Sequence, residues 1–146
     1  MTTTSVRHDP DTAALADQLE RVARLVHQHR HAVCARHGLT PPLARALGRL
    51  DADRPRAMGE LADVLSCDAS NVTGIVDRLE SKGLVERRPA DHDRRAKTVA
   101  VTATGQRLAR RIKAELATLP SAFDVLDARQ RGDLVRLLAG ALGTAG

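Results

Sequence analysis

The chain has 146 residues, a formal net charge of +5 at pH 7 and only 1% aromatic residues. This length fits one domain, or a small domain with dimerisation extensions, and the 42% hydrophobic content can supply an aliphatic core. The shortage of aromatic rings argues against a single-strand binder that stacks bases. The basic balance favours polyanionic partners, because neutralising phosphates releases counterions.

Several classes of protein lack their signatures in this sequence. Cys34 and Cys67 form no CxxC pair, which argues against a disulfide scaffold. The start MTTTSVRHDPDTAA has no apolar core of a signal peptide, and no run of about 18 apolar residues could cross a membrane. Nucleophile-elbow, P-loop and metal-protease motifs are also missing. We therefore predict a cytoplasmic protein that is not an enzyme and needs no cofactor.

The N-terminal half has a helical pattern. Residues 1–10 are polar and are predicted to form a flexible arm. Gly38 should end the first helix, and Thr40 with Pro41 should begin the second. The stretch DADRPRA, residues 51–57, should be a turn before a short third helix. The apolar positions that define these three helices at 3.6-residue spacing are Leu15, Leu19, Val22, Val26 and Val33, then Leu43, Leu47 and Leu50, then Met58, Leu61, Ala62 and Leu65.

A fourth helix is predicted over residues 69–82, capped by Asp68 or Ser70 and ended by Gly83. The period then changes towards two, and LVERR and KTVAVT should pair as a hairpin with the charged tip PADHDRRA. Thr102 should cap the next helix, which Pro120 interrupts, and Asp127 with Gln130 should begin the last. The apolar stripes of these helices are Val72, Ile75, Val76 and Leu79, then Leu108, Ile112 and Leu116, then Leu134, Val135, Leu138 and Leu142.

This order predicts a mainly α fold with a small β-hairpin wing, that is, a winged helix-turn-helix with additional outer helices. The second helix of such a unit lies in the major groove of DNA. Asn71, Gly74 and Arg78 fall at i, i+3 and i+7 on one face, where Asn suits adenine and Arg suits guanine. The alternative is a solvated face with no partner. The predicted contact residues of this helix are Ser70, Asn71, Thr73, Gly74, Asp77 and Arg78.

The hairpin tip supplies a second predicted contact. Asp93 and Arg95 can pair, so that Arg94 or Arg95 extends into a narrow minor groove, where negative potential is concentrated. Basic residues of the two strands can then meet phosphates. The alternative is an ordinary charged hairpin end with weak surface ion pairs. The strand residues predicted to contact phosphates are Arg87, Arg88 and Lys97.

The segment from Leu61 to Gly105 resembles the core of the MarR family, the multiple-antibiotic-resistance-type regulators. One departure is Ala90, where family members often have an acidic residue, while the acid here is Asp91. The resemblance covers about 45 residues. The motifs that carry it are Asp77 to Glu80, Gly83 to Val85, the pair Arg87 and Arg88, Asp93 to Arg95, and Val101 to Gly105.

The resemblance implies an obligate homodimer in one intertwined domain, with residues 11–37 and 103–146 as dimerisation helices and residues 40–102 as the DNA-binding lobe. Such a dimer would bind a palindromic double-stranded operator, with half-sites about one helical turn apart. It also implies a repressor that a small aromatic or phenolic ligand releases from DNA. An architectural winged-helix protein that binds DNA without sequence preference is the alternative.

Two other kinds of sensor fit particular residues. His27, His31 and Cys34 are metal-ligand types on one helical face, but i to i+7 spans about two turns, too far for one ion, so no metal site is assigned. Cys34 and Cys67 are candidates for an oxidant sensor, which needs a thiol of lowered pKa near cations or a helix N-terminus. A buried structural role is the alternative for each cysteine.

Overall fold

A computed structural model describes residues 10–90 and 97–143. Within these ranges it is mainly helical with a small antiparallel sheet, which confirms the predicted fold class. Residues 1–9 of the predicted arm and residues 91–96 of the predicted hairpin tip lie outside the described ranges. The elements are α1 (Pro10–Arg36), α2 (Pro41–Leu47), β1 (Arg56–Ala57), α3 (Met58–Leu65), α4 (Ala69–Ser81), β2 (Val85–Pro89), β3 (Lys97–Val101), α5 (Ala103–Leu116), a 3-10 turn (Ser121–Phe123) and α6 (Ala128–Ala141).

The chain divides into two compact units, one over residues 27–118 and one made from the segments before and after it. The hydrophobic core lies in the first unit, which we call the winged-helix unit. It contains α5, whereas the sequence assigned residues from 103 onwards to dimerisation helices. α5 contacts α2 and β3, so its first turns belong to the same core. The largest fully buried side chains of this core are Leu47, Leu61, Leu65, Leu79, Val33, Val72, Val76, Val85 and Val99.

Local hydrogen bonds begin and end the helices where the sequence predicted. The Asp68 carboxylate caps α4, the Thr102 hydroxyl caps α5, and Asp127 with Gln130 forms a capping box at α6. Gly38 and Gly83 follow α1 and α4 at a φ of +66°, a backbone conformation that costs glycine little.

The sheet has a third strand that the sequence did not reveal. Its order is β1-β3-β2, and both pairs are antiparallel, with Arg56 opposite Val99 and Val85 opposite Val101. The prediction of a turn over residues 51–57 was therefore wrong at Arg56 and Ala57. Two residues are too few to show a period of two, and their extended conformation depends on the ladder that β3 provides.

The start of α5 is attached to the turn that follows α4. The Thr102 hydroxyl accepts from the Gly105 N–H at 3.1 Å and donates to the Gly83 carbonyl at 2.7 Å, while the Thr102 N–H donates to the Leu84 carbonyl at 3.0 Å. A Cβ on Gly105 would lie 2.0 Å from the Leu84 carbonyl oxygen and 2.8 Å from a methyl of Val101. Glycine is thus required at position 105 by close backbone approach.

The end of α1 is held against α5 by charge. Glu115 accepts from Arg36 and meets the His37 ring, each at 2.8 Å. These bonds, that from Arg36 first, hold the pKa of the Glu115 carboxyl below its usual value. The carboxylate therefore stays ionised at neutral pH, and both contacts join the C-terminal end of α1 to α5 within the winged-helix unit.

The second unit contains residues 10–26 of α1 and residues 119–143 with α6. None of the buried hydrophobic residues lies in these segments. All large apolar side chains found exposed in the described chain, except Val64, belong to this unit. They include Leu134 and Leu138 of α6 and Leu142 at its C-cap, at i, i+4 and i+8 on one face. Among the residues described, no helix is long and apolar enough to cross a bilayer.

Candidate nucleic-acid interface

The helix-turn-helix is formed by α3 and α4, which contact each other in the core. Ser66 ends α3 with a left-handed backbone, φ 53° and ψ 47°, and the chain turns directly into α4. This conformation is uncommon for a residue with a Cβ. The Arg45 guanidinium of α2 donates to the Leu65 carbonyl at 3.1 Å and so satisfies one of the free carbonyls at the end of α3.

The first turn of α4 uses its hydroxyl protons internally. Asp68 accepts from the Asn71 N–H at 2.8 Å and from the Ser70 hydroxyl at 2.6 Å, and these bonds, Ser70 first, lower the pKa of the Asp68 carboxyl. The Thr73 hydroxyl donates to the Ala69 carbonyl at 3.0 Å. Phosphate oxygens only accept hydrogen bonds, so Ser70 and Thr73 would have to exchange partners to contact them.

Three of the predicted contact residues form a free polar face on α4. Asn71 and Arg78 are exposed, and within the described part of the chain no hydrogen bond or ion pair holds either side chain. Gly74 lies between them, and a Cβ added there would meet nothing within 4 Å. A mid-helix glycine costs about 1 kcal/mol relative to alanine, and no close packing among the residues that the structure describes requires it. We call Asn71, Gly74 and Arg78 the free face of α4.

The other flank of α4 faces the wing. Arg87 of β2 donates to Asp77 at 2.5 Å through one terminal nitrogen and to Glu80 through the other. The Arg87 backbone N–H also donates to Glu80 at 3.1 Å. The hydrogen bond with Asp77 is the main reason that the Arg87 pKa is raised. Its side chain is only 22% exposed, so the geometry favours a clamp over the predicted phosphate contact.

The remaining wing residues are placed differently. Arg88 is exposed and pairs with Glu86 on its own strand, its Nε donating at 2.6 Å. Lys97 is exposed at the start of β3, opposite Pro89. Both remain predicted phosphate contacts. The predicted minor-groove residues of the tip, Asp93, Arg94 and Arg95, lie outside the described ranges.

The candidate metal ligands and the candidate sensing thiols do not form one common site among the described residues. The His27 and His31 rings lie 4.3 Å apart. Over residues 10–90 and 97–143 no group of three or more His, Cys, Asp or Glu side chains could hold a metal ion. Cys34 is 1% exposed, and burial raises the pKa of its thiol, opposite to what a sensing thiol needs. Cys67 is partly buried against the core as a free thiol.

The short helix, sharp turn, second helix and adjoining hairpin define the class of winged helix-turn-helix proteins. Residues 37–96 match a model described as MarR family. The transcriptional repressor MprA of Escherichia coli K12 is 30% identical over 87 residues, which cover 58% of this chain and 49% of MprA. The winged-helix part of the chain, residues 37–96, is thus similar to the MarR family.

Solved structures extend the likeness over most of the chain. Wild-type apo MarR from E. coli has a TM-score of 0.71 at 25% identity and covers 88% of this chain and 96% of its own. The transcriptional repressor CouR, bound to a 23-mer DNA duplex, has a TM-score of 0.66 at 26% identity and covers 95% of this chain and 99% of its own. By contrast, the chain spans about half the length of the curated relative MprA.

Proposed function

We propose that this protein is a sequence-specific transcriptional regulator that binds double-stranded DNA as a homodimer and acts as a repressor. The observation that carries this is the free face of α4, Asn71, Gly74 and Arg78, presented directly after a helix-turn-helix turn. Asn and Arg offer the bidentate donors that read adenine and guanine in the major groove. Gly74 leaves open space for the close approach of a base edge.

The relatives support the same class of function. MprA is named a transcriptional repressor, and the CouR structure contains a DNA duplex. The net charge of +5 adds a sequence-independent attraction to phosphates. Recognition would then combine phosphate contacts by Arg88 and Lys97, which orient the protein, with base contacts by α4, which select the sequence.

The homodimer is supported by the second unit. Its large apolar side chains are exposed in the single chain, and water-exposed apolar faces of this kind mark protein interfaces. A second copy offers the same helices, so the faces can cover each other about a two-fold axis. Two copies of α4 related by that axis would read a palindrome whose half-sites are about one helical turn apart.

Selection of duplexes from a random DNA pool at near-physiological salt tests this proposal. We expect one palindrome to be enriched, bound at least roughly a thousandfold more tightly than unrelated DNA. Asn71→Ala should relax the preference at one base pair in each half-site, by about 1–3 kcal/mol. Salt-sensitive binding without enrichment would instead indicate an architectural DNA-binding protein and refute the reading of the free face.

We further propose that a small aromatic or phenolic ligand releases the operator by binding a cleft of about 640 Å³ between α2 and α5. Ligand pockets commonly have this volume and an apolar lining with a few polar groups. Arg45 lines this cleft and also donates to the Leu65 carbonyl before α4. A ligand that attracts Arg45 would remove that bond and favour an arrangement with weaker operator affinity. Other residues that line the cleft are Leu47, Leu50, Arg49, Arg110 and Lys113.

Titrating the protein–operator complex with benzoate and with substituted phenols measures this release. We expect at least one compound to lower operator affinity and to raise the thermal midpoint of the free protein, because a ligand that binds the folded state stabilises it. Lys113→Ala removes one cation of the cleft and should weaken the response to an anionic compound. If neither benzoate nor any of the substituted phenols changes operator affinity, the proposal of an aromatic or phenolic ligand is refuted.

The oxidant-sensing alternative is less well supported. Of its two candidate thiols, Cys34 and Cys67, the first is 1% exposed and has a raised pKa because burial disfavours the thiolate. A thiolate is the form that peroxides oxidise. Peroxide treatment should therefore affect operator binding equally in wild type and in Cys34→Ser, and a response that Cys67→Ser abolishes would assign the sensing thiol to Cys67.

A further inference from the structure

We propose that Arg87 is a positioning residue that joins the wing to the recognition helix α4, so that helix and wing meet their grooves in a fixed relation. This inference rests on the proposed DNA-binding function and assigns Arg87 a part other than direct phosphate contact. Among the described residues, the Arg87 side chain bonds only to α4: its terminal nitrogens donate to Asp77 and Glu80, and its backbone N–H also donates to Glu80.

The geometry is that of a two-armed clamp. Asp77 and Glu80 lie three residues apart, hence on neighbouring turns of the same flank of α4. The planar guanidinium of Arg87 reaches both carboxylates with its two terminal nitrogens. Such a fork restrains orientation as well as distance, because each arm requires its own direction. The clamp therefore restrains rotation of β2 about α4 as well as their separation.

The backbone takes part in the same clamp. β2 is an edge strand, since only β3 pairs with it, and edge strands leave N–H groups without ladder partners. The Arg87 N–H donates to Glu80 at 3.1 Å, so one carboxylate holds both the main chain and the side chain of residue 87. Sliding of β2 along α4 would break both bonds together.

Charge gives the clamp a second consequence for DNA. Asp77 is exposed on the side of α4 that carries Gly74, and an unpaired carboxylate there would repel phosphates. Arg87 pairs with Asp77 and with Glu80. Arg87 thus offsets one of the two negative charges beside the free face, which lowers the repulsion of phosphates from this flank of α4.

Arg88 supplies the matched control. It is the next residue of β2, so its side chain leaves the opposite face of the strand. It pairs with Glu86 of the same strand, and among the described residues its side chain makes no bond to α4. A substitution at Arg88 can remove or preserve a positive charge close to that of Arg87, and in either case the bonds of Arg87 to Asp77 and Glu80 stay intact.

Arg87→Lys and Arg88→Lys, measured on the selected operator and on unrelated duplex, test the proposal. Both variants keep the positive charge, but lysine cannot form a planar fork with two carboxylates. We expect Arg87→Lys to lose roughly tenfold or more in operator affinity while its affinity for unrelated DNA, which depends on charge, stays within about twofold. We expect Arg88→Lys, at a proposed phosphate contact, to change the affinities for operator and for unrelated DNA by about the same factor and so to leave their ratio unchanged.

The operator preference of the wild-type protein distinguishes failure of the clamp proposal from failure of the proposed DNA-binding function. If wild type shows no operator preference, the DNA-reading function fails, and the clamp proposal fails with it. If wild type is selective and Arg87→Lys is equally selective, only the clamp is refuted, and Arg87 acts as a point charge. Preserved binding to unrelated DNA, with an unchanged far-UV spectrum, excludes simple unfolding as the cause of a loss.

Glu80→Gln gives an independent variant that leaves Arg87 in place. It weakens one arm of the clamp, so it should lower operator affinity in the same direction as Arg87→Lys, although it removes a negative charge near DNA. The double variant should lose less than the product of the two single losses, because both changes break one interaction. Improved operator binding by Glu80→Gln, or strictly multiplicative losses, would overturn the clamp.

Discussion

Replacing Leu138 with glutamate is expected to convert the proposed dimer into a monomer that has lost most of the proposed operator affinity. Leu138 lies in α6 with its side chain 40% exposed in the single chain, on the face shared with Leu134 and Leu142. If a second copy covers this face, the variant would bury a carboxylate without a partner, which is strongly unfavourable. In a monomer, the two copies of α4 that would contact the two half-sites are no longer joined. Operator binding should therefore weaken roughly a hundredfold or more.

Sedimentation velocity and operator titration measure this effect together. Gly140→Glu is the matched control, because it introduces the same charge two positions further along α6, on the opposite side of the helix. A Cβ at position 140 would meet nothing within 4 Å. The control should remain dimeric and bind the operator normally. A Leu138→Glu protein that sediments as a dimer would show that this face of α6 is not the interface.

Gly105→Ala is expected to destabilise the protein by roughly 3 kcal/mol, the upper end of the usual cost of overpacking. The added methyl would lie 2.0 Å from the Leu84 carbonyl oxygen. That carbonyl cannot easily move, because it accepts from the Thr102 N–H at 3.0 Å. Urea unfolding at a fixed protein concentration measures the difference in free energy, since the stability of a dimer depends on concentration.

Two other glycines provide controls for this prediction. Gly59 lies in the first turn of α3, as Gly105 does in α5, and a Cβ at position 59 would meet nothing within 4 Å. Gly59→Ala should therefore not destabilise the protein. Gly74→Ala should raise stability by about 1 kcal/mol and lower operator affinity, because its methyl would occupy the free face. A Gly105→Ala protein as stable as wild type would contradict the close approach.

Much of the local structure could be predicted because its causes lie within a few residues of one another. Asp68, Thr102 and Asp127 cap helices through bonds to N–H groups three residues ahead. Gly83 ends α4 because few other residues adopt a positive φ at low cost. The buried stripe of Val72, Ile75, Val76 and Leu79 follows from the helical period.

The parts that were missed depend on residues far apart in sequence. β1 exists because Arg56 and Ala57 pair with Val99 and Thr98, over 40 positions away. The clamp on Arg87 requires β2 to lie beside α4, which charge spacing alone does not reveal. A basic residue ten positions after Asp77 and seven after Glu80 was a signal, but a weak one, since such pairs are common on surfaces.

The sequence by itself determined the order of the helices and of the two hairpin strands, though not β1, together with the helix termini and the position of Asn71, Gly74 and Arg78 on one face of α4. These follow from the period of apolar residues, from capping chemistry and from the small set of conformations that glycine and proline allow. Only the tertiary structure decided which of the exposed polar side chains already form hydrogen bonds or ion pairs within the chain. It joins Arg87 to α4, directs the Ser70 and Thr73 hydroxyls to internal acceptors, and leaves Asn71 and Arg78 unengaged in the described chain. The physical reason is that periodicity reports which side of an element faces the core, whereas hydrogen-bond partners depend on which elements the fold places side by side.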